Sequence, residues 1–208
     1  MSNIKEKYKA VLINYIPPQA VDIIAEWILQ FDFDLRITKE RATKLGDYRN
    51  AYDGDRHKIS VNHSLNHYAF LITLVHEIAH LVTYEKFKHR VKPHGAEWKN
   101  EFKKLMQFFF FENLFPADIH NALIKYMNNP AASSCSDTHL QRVLKAYDNP
   151  AENDLVLLES LPMHSQFSYN EDRIFIKGEQ LRKRIKCKEI GTKREYLFSP
   201  LTEVKLLS

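Results

Sequence analysis

Apolar residues recur every three or four positions in three segments of the first half of the chain, which is the spacing of one face of a helix. These segments cover residues 19–31, residues 66–86 and a stretch that begins at about Ala96. A fourth, shorter helix is predicted over residues 116–127. For residues 66–86 we expect one side to be buried and the opposite side to be open. The apolar stripes are Val21, Ile24, Ile28 and Phe31; Leu71, Val75, Ile78 and Val82; and Trp98, Phe102, Leu105 and Phe109.

Strand patterns lie between these helices and fill the end of the chain. Leu35 and Ile37 alternate with polar residues, and residues 44–65 indicate two strands around the turn Asp53-Gly54-Asp55. Residues 128–136, "NNPAASSCS", predict a linker, and "DTHLQRVLKAYD" after it predicts a short helix. Short β-rich runs such as "RIFIKG" and "RIKCKEI" follow. We therefore expect an α+β fold in three parts: helices with a small antiparallel sheet over 1–128, a linker with a short helix over 129–149, and a small β-rich domain over 150–208.

Composition narrows the class of protein. The 208 residues are 44% hydrophobic and 27% charged, which is typical of a folded chain and unlike a disordered one. No apolar run is long enough to span a membrane, and no secretory leader is recognisable. The two cysteines are far apart, which fits a reducing compartment better than a disulfide framework. These features predict a cytoplasmic protein with no membrane partner, and they leave its oligomeric state open.

Candidate chemistry is concentrated in "LVHEIAHLVTYEKFKHRVKPHG", residues 74–95. His76 and His80 are four residues apart on a predicted helix, so both imidazoles can reach one metal ion. Glu77 follows the first histidine and can reach a water on that metal without binding the metal, which is the H-E-x-x-H arrangement of zinc peptidases. Zinc lowers the pKa of such a water from about 15.7 toward about 7, so Glu77 could take its proton and pass it to a leaving amine.

A catalytic zinc ion needs a third protein ligand, and here that ligand must come from outside this helix. His94 is the favoured candidate because it stands where the chain turns into the next helix, and Gly95 is expected to allow a tight turn there. Glu97 and Glu101 on the following helix, and His89 in the loop, are the alternatives.

The segment "HEIAH" followed by "HGAEWKNEFKKL" resembles the SprT-like family of zinc metallopeptidases, which includes the Spartan proteases. The resemblance covers roughly residues 20–112, and its HG-x-x-W element distinguishes it from other H-E-x-x-H proteins. It implies a zincin-like fold in which His76, His80 and His94 bind one catalytic zinc ion and Glu77 is the general acid/base. Members of the family bind DNA, and the Spartan branch cleaves proteins that are trapped covalently on DNA.

Many members of that family carry a C-terminal zinc ribbon with four cysteines, and here this chain departs from the pattern. It has only Cys135 and Cys187, with His139 as a third candidate ligand. Because four sulfur or nitrogen ligands are not evident, a second, structural zinc ion is not expected. The C-terminal domain is predicted to be a degenerate, ribbon-like β-fold.

Residues 177–194 form the most basic segment, with eight basic and two acidic residues, a net charge of +6 against +4 for the whole chain. Such a segment can neutralise phosphates without reading base sequence, although basic strands are also common on solvated surfaces. Nearby aromatic residues are expected in the domain core rather than stacked on bases. The candidate contacts to DNA, single-stranded or structured, are Lys177, Arg182, Lys183, Arg184, Lys186, Lys188, Lys193 and Arg194.

These patterns together predict a zinc-dependent metalloendopeptidase in which a zinc-bound water, activated by Glu77, attacks a peptide carbonyl. The resemblance to the SprT-like family implies that its substrates are proteins bound or crosslinked to DNA. The alternatives are a catalytically silent DNA-binding protein with the same fold and a zinc amidohydrolase that acts on small substrates. Tyr48 and Tyr84 are candidates for stabilising the oxyanion, although structural roles are favoured for both.

Overall fold

The computed structural model describes residues 2–41, 44–111, 114–131, 137–148, 155–170 and 173–207, which form a mixed α and β structure in two units, residues 1–148 and 149–208. None of the described helices has the length and apolar character needed to cross a membrane. In the first unit the helices are α1 (Ser2–Leu12), α2 (Val21–Gln30), α3 (His67–Phe87), α4 (Ala96–Gln107), α5 (Ala117–Asn128) and α6 (Thr138–Lys145), and the strands are β1 (Phe33–Thr38), β2 (Gly46–Arg49) and β3 (His57–Asn62).

The sheet of the first unit is mixed, so the expectation of an antiparallel sheet is wrong. Its order is β1-β3-β2, with β1 parallel and β2 antiparallel to the central strand β3. After β1 the chain passes the position of β3 and enters β2 at the far edge, so only the β2–β3 connection is a hairpin. Ile59 and Val61 on β3 are fully buried. Strand β2 is left at an edge of the sheet.

Helix α3 is the centre of the first unit. The Asn66 side chain caps its start by accepting hydrogen bonds from the backbone N–H groups of Tyr68 and Ala69, at 3.1 and 3.0 Å. Every residue from Ala69 to Ala79 is buried. The expectation of one open side is therefore wrong, because strands β2 and β3 and helix α4 all pack against this helix.

Helix α6 belongs to the first unit, although the sequence pattern placed it in a linker. Leu140 and Leu144 are buried in the same core as α3. The Asn66 amide also donates to the Leu144 backbone oxygen at 2.9 Å and to Asp148 Oδ1 at 2.6 Å, which joins the start of α3 to the end of α6. Residues 132–136 of the predicted linker lie outside the described residues, and the separate role of each domain stays a prediction.

The second unit is a six-stranded antiparallel sheet of order β4-β9-β5-β6-β7-β8. Phe175 and Phe198 lie in its buried core, with Tyr169 and Tyr196 packed against it, as the sequence predicts. Cys187 is a free thiol in the same core. The strands are β4 (Leu155–Leu157), β5 (Gln166–Tyr169), β6 (Arg173–Gln180), β7 (Ile185–Glu189), β8 (Glu195–Phe198) and β9 (Glu203–Leu206).

A buried carboxylate joins α4 to α3. The side chain of Glu101 is 8% exposed and accepts hydrogen bonds from Lys86 Nζ on α3 at 2.6 Å and from Lys104 Nζ at 3.1 Å. Burial raises the pKa of Glu101, but the hydrogen bonds and charges of the two lysines outweigh it and hold the pKa below its ordinary value. The ion pair therefore stabilises the fold while Glu101 is ionised.

Glu101→Gln is expected to lower the free energy of unfolding of the first unit by about 1–2 kcal/mol at pH 7, because two lysines lose a buried partner. A lowered pKa gives stability that is fully present above the pKa of the unfolded chain, 4.5. The difference from wild type should therefore shrink as the pH falls below 4.5, and it should be lost once the pH has passed through the lower pKa of the folded state. Urea unfolding followed by tryptophan fluorescence measures this, since Trp27 and Trp98 both lie in the first unit.

The control is Glu26→Gln, which removes the exposed partner of Lys5 on the same unit. That change should alter stability by less than about 0.5 kcal/mol. Equal losses in the two variants at pH 7, or a loss at Glu101 that does not shrink as the pH falls below 4.5, would show that the buried pair does not stabilise the fold.

Candidate metal centre

Three imidazoles meet where α3 approaches α4. His76 and His80 lie one turn apart on α3, and His94 lies in the loop before α4. Their Nε2 atoms are 3.3 Å apart between His76 and His80, 2.8 Å between His80 and His94, and 3.2 Å between His76 and His94. A tetrahedral zinc ion with bonds of about 2.0–2.1 Å separates its nitrogen ligands by about 3.3 Å. The three converging atoms therefore fit one metal ion of this size, and no other such cluster occurs in the part of the chain that the structure describes.

The alternative third ligands lie outside this cluster. Glu101 is paired with two lysines, as described above. The His89 ring packs edge-on against Tyr84, with ring centroids 5.2 Å apart. Glu97 lies on the first turn of α4, near the backbone of Gly95. Of the four candidates that the sequence suggests, His94 is therefore the one that the fold brings to His76 and His80.

The turn that presents His94 is made by the histidine itself. His94 has a φ of 58°, in the left-handed region, whereas Gly95 has a φ of −68° and needs no special freedom. The expectation that Gly95 provides the turn is therefore wrong. Glycine is still favoured at 95, because a Cβ there would make a tight contact, 3.0 Å, with the Lys92 backbone oxygen. A left-handed conformation costs a residue other than glycine about 1–3 kcal/mol, so this ligand is held under backbone strain.

Trp98 forms a platform beneath all three histidines. Its ring centroid lies 4.6 Å from that of His76, 5.3 Å from that of His80 and 4.7 Å from that of His94. Phe102, one turn further along α4, stacks on the tryptophan at 5.1 Å and also lies 5.7 Å from the His76 ring. The spacing of His94, Gly95 and Trp98 thus places a ligand, a helix cap and a packing surface within one turn, which gives the HG-x-x-W element a physical meaning.

The three histidines are neutral at physiological pH. Burial and the mutual repulsion of the imidazoles lower the pKa of His76 to about 2 and that of His80 to about 3. Burial also lowers the pKa of His94. Neutral imidazole is the form that binds a metal ion, so the site needs little proton release on loading.

Glu77 follows His76 in α3 and is buried like it. Only 8% of it is exposed, and burial raises the pKa of Glu77 to about 8, with Asp47 acting in the same direction and Arg41 and Lys44 opposing it. A cation held by the histidines would lower the pKa of this carboxyl. The carboxyl is therefore placed to gain and lose a proton near neutral pH.

Sequence reasoning missed a chain of contacts that begins at Tyr48 on β2. The Tyr48 ring lies nearly parallel to that of His80, with centroids 6.3 Å apart. Its hydroxyl is 3.0 Å from His57 Nδ1, which also accepts from the backbone N–H of Ala51, and His57 Nε2 is 3.2 Å from Glu85 Oε1. These contacts hold the Tyr48 hydroxyl, and the structural role favoured for Tyr48 stays a prediction. The members of this chain of contacts come from separate elements, so no local motif could reveal it.

The basic residues of the second unit differ in how far they are exposed. Lys177 is buried and donates to the backbone oxygens of Glu159 at 3.0 Å and Leu161 at 2.5 Å, so the prediction that it contacts nucleic acid is wrong. Lys186 pairs with Glu195 at 2.9 Å. Two exposed groups remain at opposite ends of β7, about 17 Å apart at the usual rise of a strand. They are Arg182, Lys183 and Arg184 before the strand and Lys193 and Arg194 after it, with Lys188 exposed between them.

The two cysteines were the candidate ligands for a second metal ion, which the sequence did not lead us to expect. Cys187 is buried in the core of the second unit, and Cys135 lies outside the described residues. The expectation of a single metal ion therefore stays a prediction.

Comparison with known proteins identifies the segment that carries the site. Residues 22–121 match the model of the SprT-like family, which confirms the resemblance over the segment that contains all three histidines and Glu77. Neither the search of curated proteins nor the search of solved structures found a match.

We expect the purified protein to hold about one metal ion per chain and His94→Ala to lose it, since two imidazoles alone bind weakly. Cobalt(II) added to the metal-free protein should quench the fluorescence of Trp98, whose ring lies about 5 Å from each ligand ring. Trp27→Phe leaves Trp98 as the single tryptophan for this titration. Elemental analysis gives the stoichiometry.

The control for both measurements is His89→Ala, which removes a nearby histidine outside the cluster. It should retain the metal ion and the quenching. Two results would contradict the three-histidine site. One is an equal loss of metal in His94→Ala and His89→Ala, and the other is no quenching in the protein that keeps all three histidines.

Proposed function

Because residues 22–121 match the SprT-like family, we propose that this chain is a zinc-dependent metalloendopeptidase. The observation that carries the proposal is the convergence of three neutral imidazoles beside a buried glutamate. His76, His80 and His94 would hold the zinc ion through their Nε2 atoms. Zinc bound there supplies a polarising charge that lowers the pKa of water and activates a peptide carbonyl.

Glu77 acts as the general base and then as the general acid. It takes a proton from the attacking water and returns that proton to the leaving amine. Its pKa of about 8 without a cation, which a nearby cation lowers, supports both steps near neutral pH.

Strand β2 is the element best placed to receive a substrate. It is an edge strand, it packs along α3, and one of its edges is unpaired in the part of the first unit that the structure describes. An extended peptide could add to that edge through main-chain hydrogen bonds, which depend little on side-chain identity. The substrate class we propose is therefore an extended or unfolded protein segment rather than a small amide.

The second unit supports an association with DNA. Arg182, Lys183 and Arg184 are exposed around the tight turn between β6 and β7, where the Leu181 backbone N–H donates to the Arg184 oxygen at 2.8 Å. Exposed arginine and lysine on a rigid turn can neutralise phosphates without reading sequence. We infer that this turn, rather than the whole segment 177–194, is the principal contact, and that the substrates are proteins bound or crosslinked to DNA.

Glu77→Gln should abolish proteolysis while the protein keeps its zinc. The amide is nearly isosteric with the carboxylate but cannot accept the proton, so kcat is expected to fall by about 10²–10⁴. Cleavage of fluorescently labelled casein, with and without single-stranded DNA, and elemental analysis measure the two properties.

Glu97→Gln is the matched control, because it removes the acidic residue closest in sequence to His94 without touching Glu77. It should keep both zinc and activity. Cleavage at the wild-type rate by Glu77→Gln would exclude the mechanism. A wild-type protein that binds zinc and DNA but cuts neither casein nor small amides would instead be the catalytically silent binding protein.

Lys183→Gln is expected to weaken the binding of single-stranded DNA about threefold at moderate salt and to reduce the slope of log affinity against log salt by about 1. The same change at Lys205, an exposed lysine on β9, should alter neither quantity measurably. Fluorescence anisotropy at several salt concentrations measures both variants. Equal effects would indicate diffuse attraction to net charge rather than a contact at the turn.

A further inference from the structure

Gly46, the first residue of edge strand β2, lies against the side chain of Glu77. A Cβ built at position 46 would lie 2.5 Å from Glu77 Oε1, 2.8 Å from Glu77 Cγ and 2.8 Å from Thr73 Cγ2. Gly54 is the one described glycine with a positive φ, so the requirement at 46 is for space and not for backbone freedom. Any side chain at this position must displace Glu77, Thr73 or the strand.

Packing encloses the Glu77 carboxylate, and the charges of Arg41 and Lys44 act on it without direct contact. Among the described residues, no hydrogen bond or ion pair to this carboxylate occurs. The nearby cations have other partners: Arg41 donates to Asn62 and Ser60, and Lys44 pairs with Asp47. The position of the carboxylate therefore depends strongly on the surfaces that surround it, and Gly46 provides one of these surfaces on β2.

We propose that Gly46 is a positioning residue for Glu77. Its missing side chain lets the carboxylate lie directly against the strand along which an extended substrate would pair. Alternate residues of a strand face the same side, so Tyr48, which stacks on His80, shares this face with Gly46. One strand thus contacts both the general base and a metal ligand. The inference deepens the proposed function and rests on it.

Gly46→Ala tests the proposal. The added methyl group pushes the carboxylate away from its position, and a displacement of about 1 Å at a reacting group can cost about 10² in rate. We expect kcat on labelled casein to fall about 10- to 100-fold, with KM and zinc content unchanged within about twofold. Adding Thr73→Ser removes the methyl that the new side chain also meets, so the double variant retains only the contact with Glu77 and should remain slow.

A binding measurement gives a second readout that does not depend on turnover. Acetohydroxamate binds a metal ion and can hydrogen-bond to the neighbouring carboxylate, so its affinity should fall about tenfold in Gly46→Ala. In a Glu77→Ala background the same substitution should change that affinity less than about twofold, because the displaced group is absent. Equal effects in the two backgrounds would mean that Gly46 acts on the fold and not on Glu77.

The outcomes separate this inference from the proposed function. Full kcat in a folded Gly46→Ala protein would overturn the role of Gly46 and leave the peptidase intact. A wild-type protein without zinc or cleavage would overturn both. If Gly46→Ala does not fold, the same change in a chain that carries both Glu77→Ala and Thr73→Ser decides, because both side chains that the new methyl meets are then shortened. Folding there supports the close contact, and failure to fold there overturns it.

Discussion

The burial of α3 is the constraint on which the rest of the candidate site depends. A helix that is enclosed from Ala69 to Ala79 carries His76 and Glu77 into a region where charge is poorly solvated. Ionised side chains are expensive in such surroundings, so the histidine stays neutral and the glutamate holds its proton more strongly. The same surroundings strengthen any interaction with a bound cation, because electrostatic energy varies inversely with the dielectric constant. A solvated helix with the same five residues would lack both properties.

The third ligand imposes a second constraint, because His94 does not belong to α3. Its position depends on how α4 is held against that helix, and the structure uses two different interactions for this. Glu101 on α4 links the helices by accepting a charged hydrogen bond from Lys86 on α3, whereas Trp98 packs directly on the ligand rings. The left-handed backbone of His94 adds strain that these contacts must offset. An isolated loop with this sequence would therefore not hold the imidazole at the metal position.

Sequence predicts the parts of this molecule that depend on local spacing. The four-residue interval of His76 and His80, the start of α3 after Asn66 and the six strands of the second unit all follow from neighbouring residues. The direction of β1 relative to β3 and the packing of α6 do not, because each depends on contacts between distant segments. Lys177 shows the same limit. Counting charge treats every lysine as exposed, but the register of β6 against β7 pairs Lys177 with the buried Cys187 and turns it inward.

Gly46 is the residue whose role is hardest to predict from the sequence. In a strand pattern an isolated glycine is a weak point, since it adds flexibility and contributes no side chain to packing. In the fold its value comes from a residue 31 positions later, whose carboxylate occupies the space that a Cβ would fill. The candidate site therefore combines three elements with separate anchors: α3 through burial, the His94 loop through α4, and β2 through the sheet. Because each element controls a different property, namely proton affinity, metal affinity and the position of the base, damage to any one of them should be distinguishable from damage to the others.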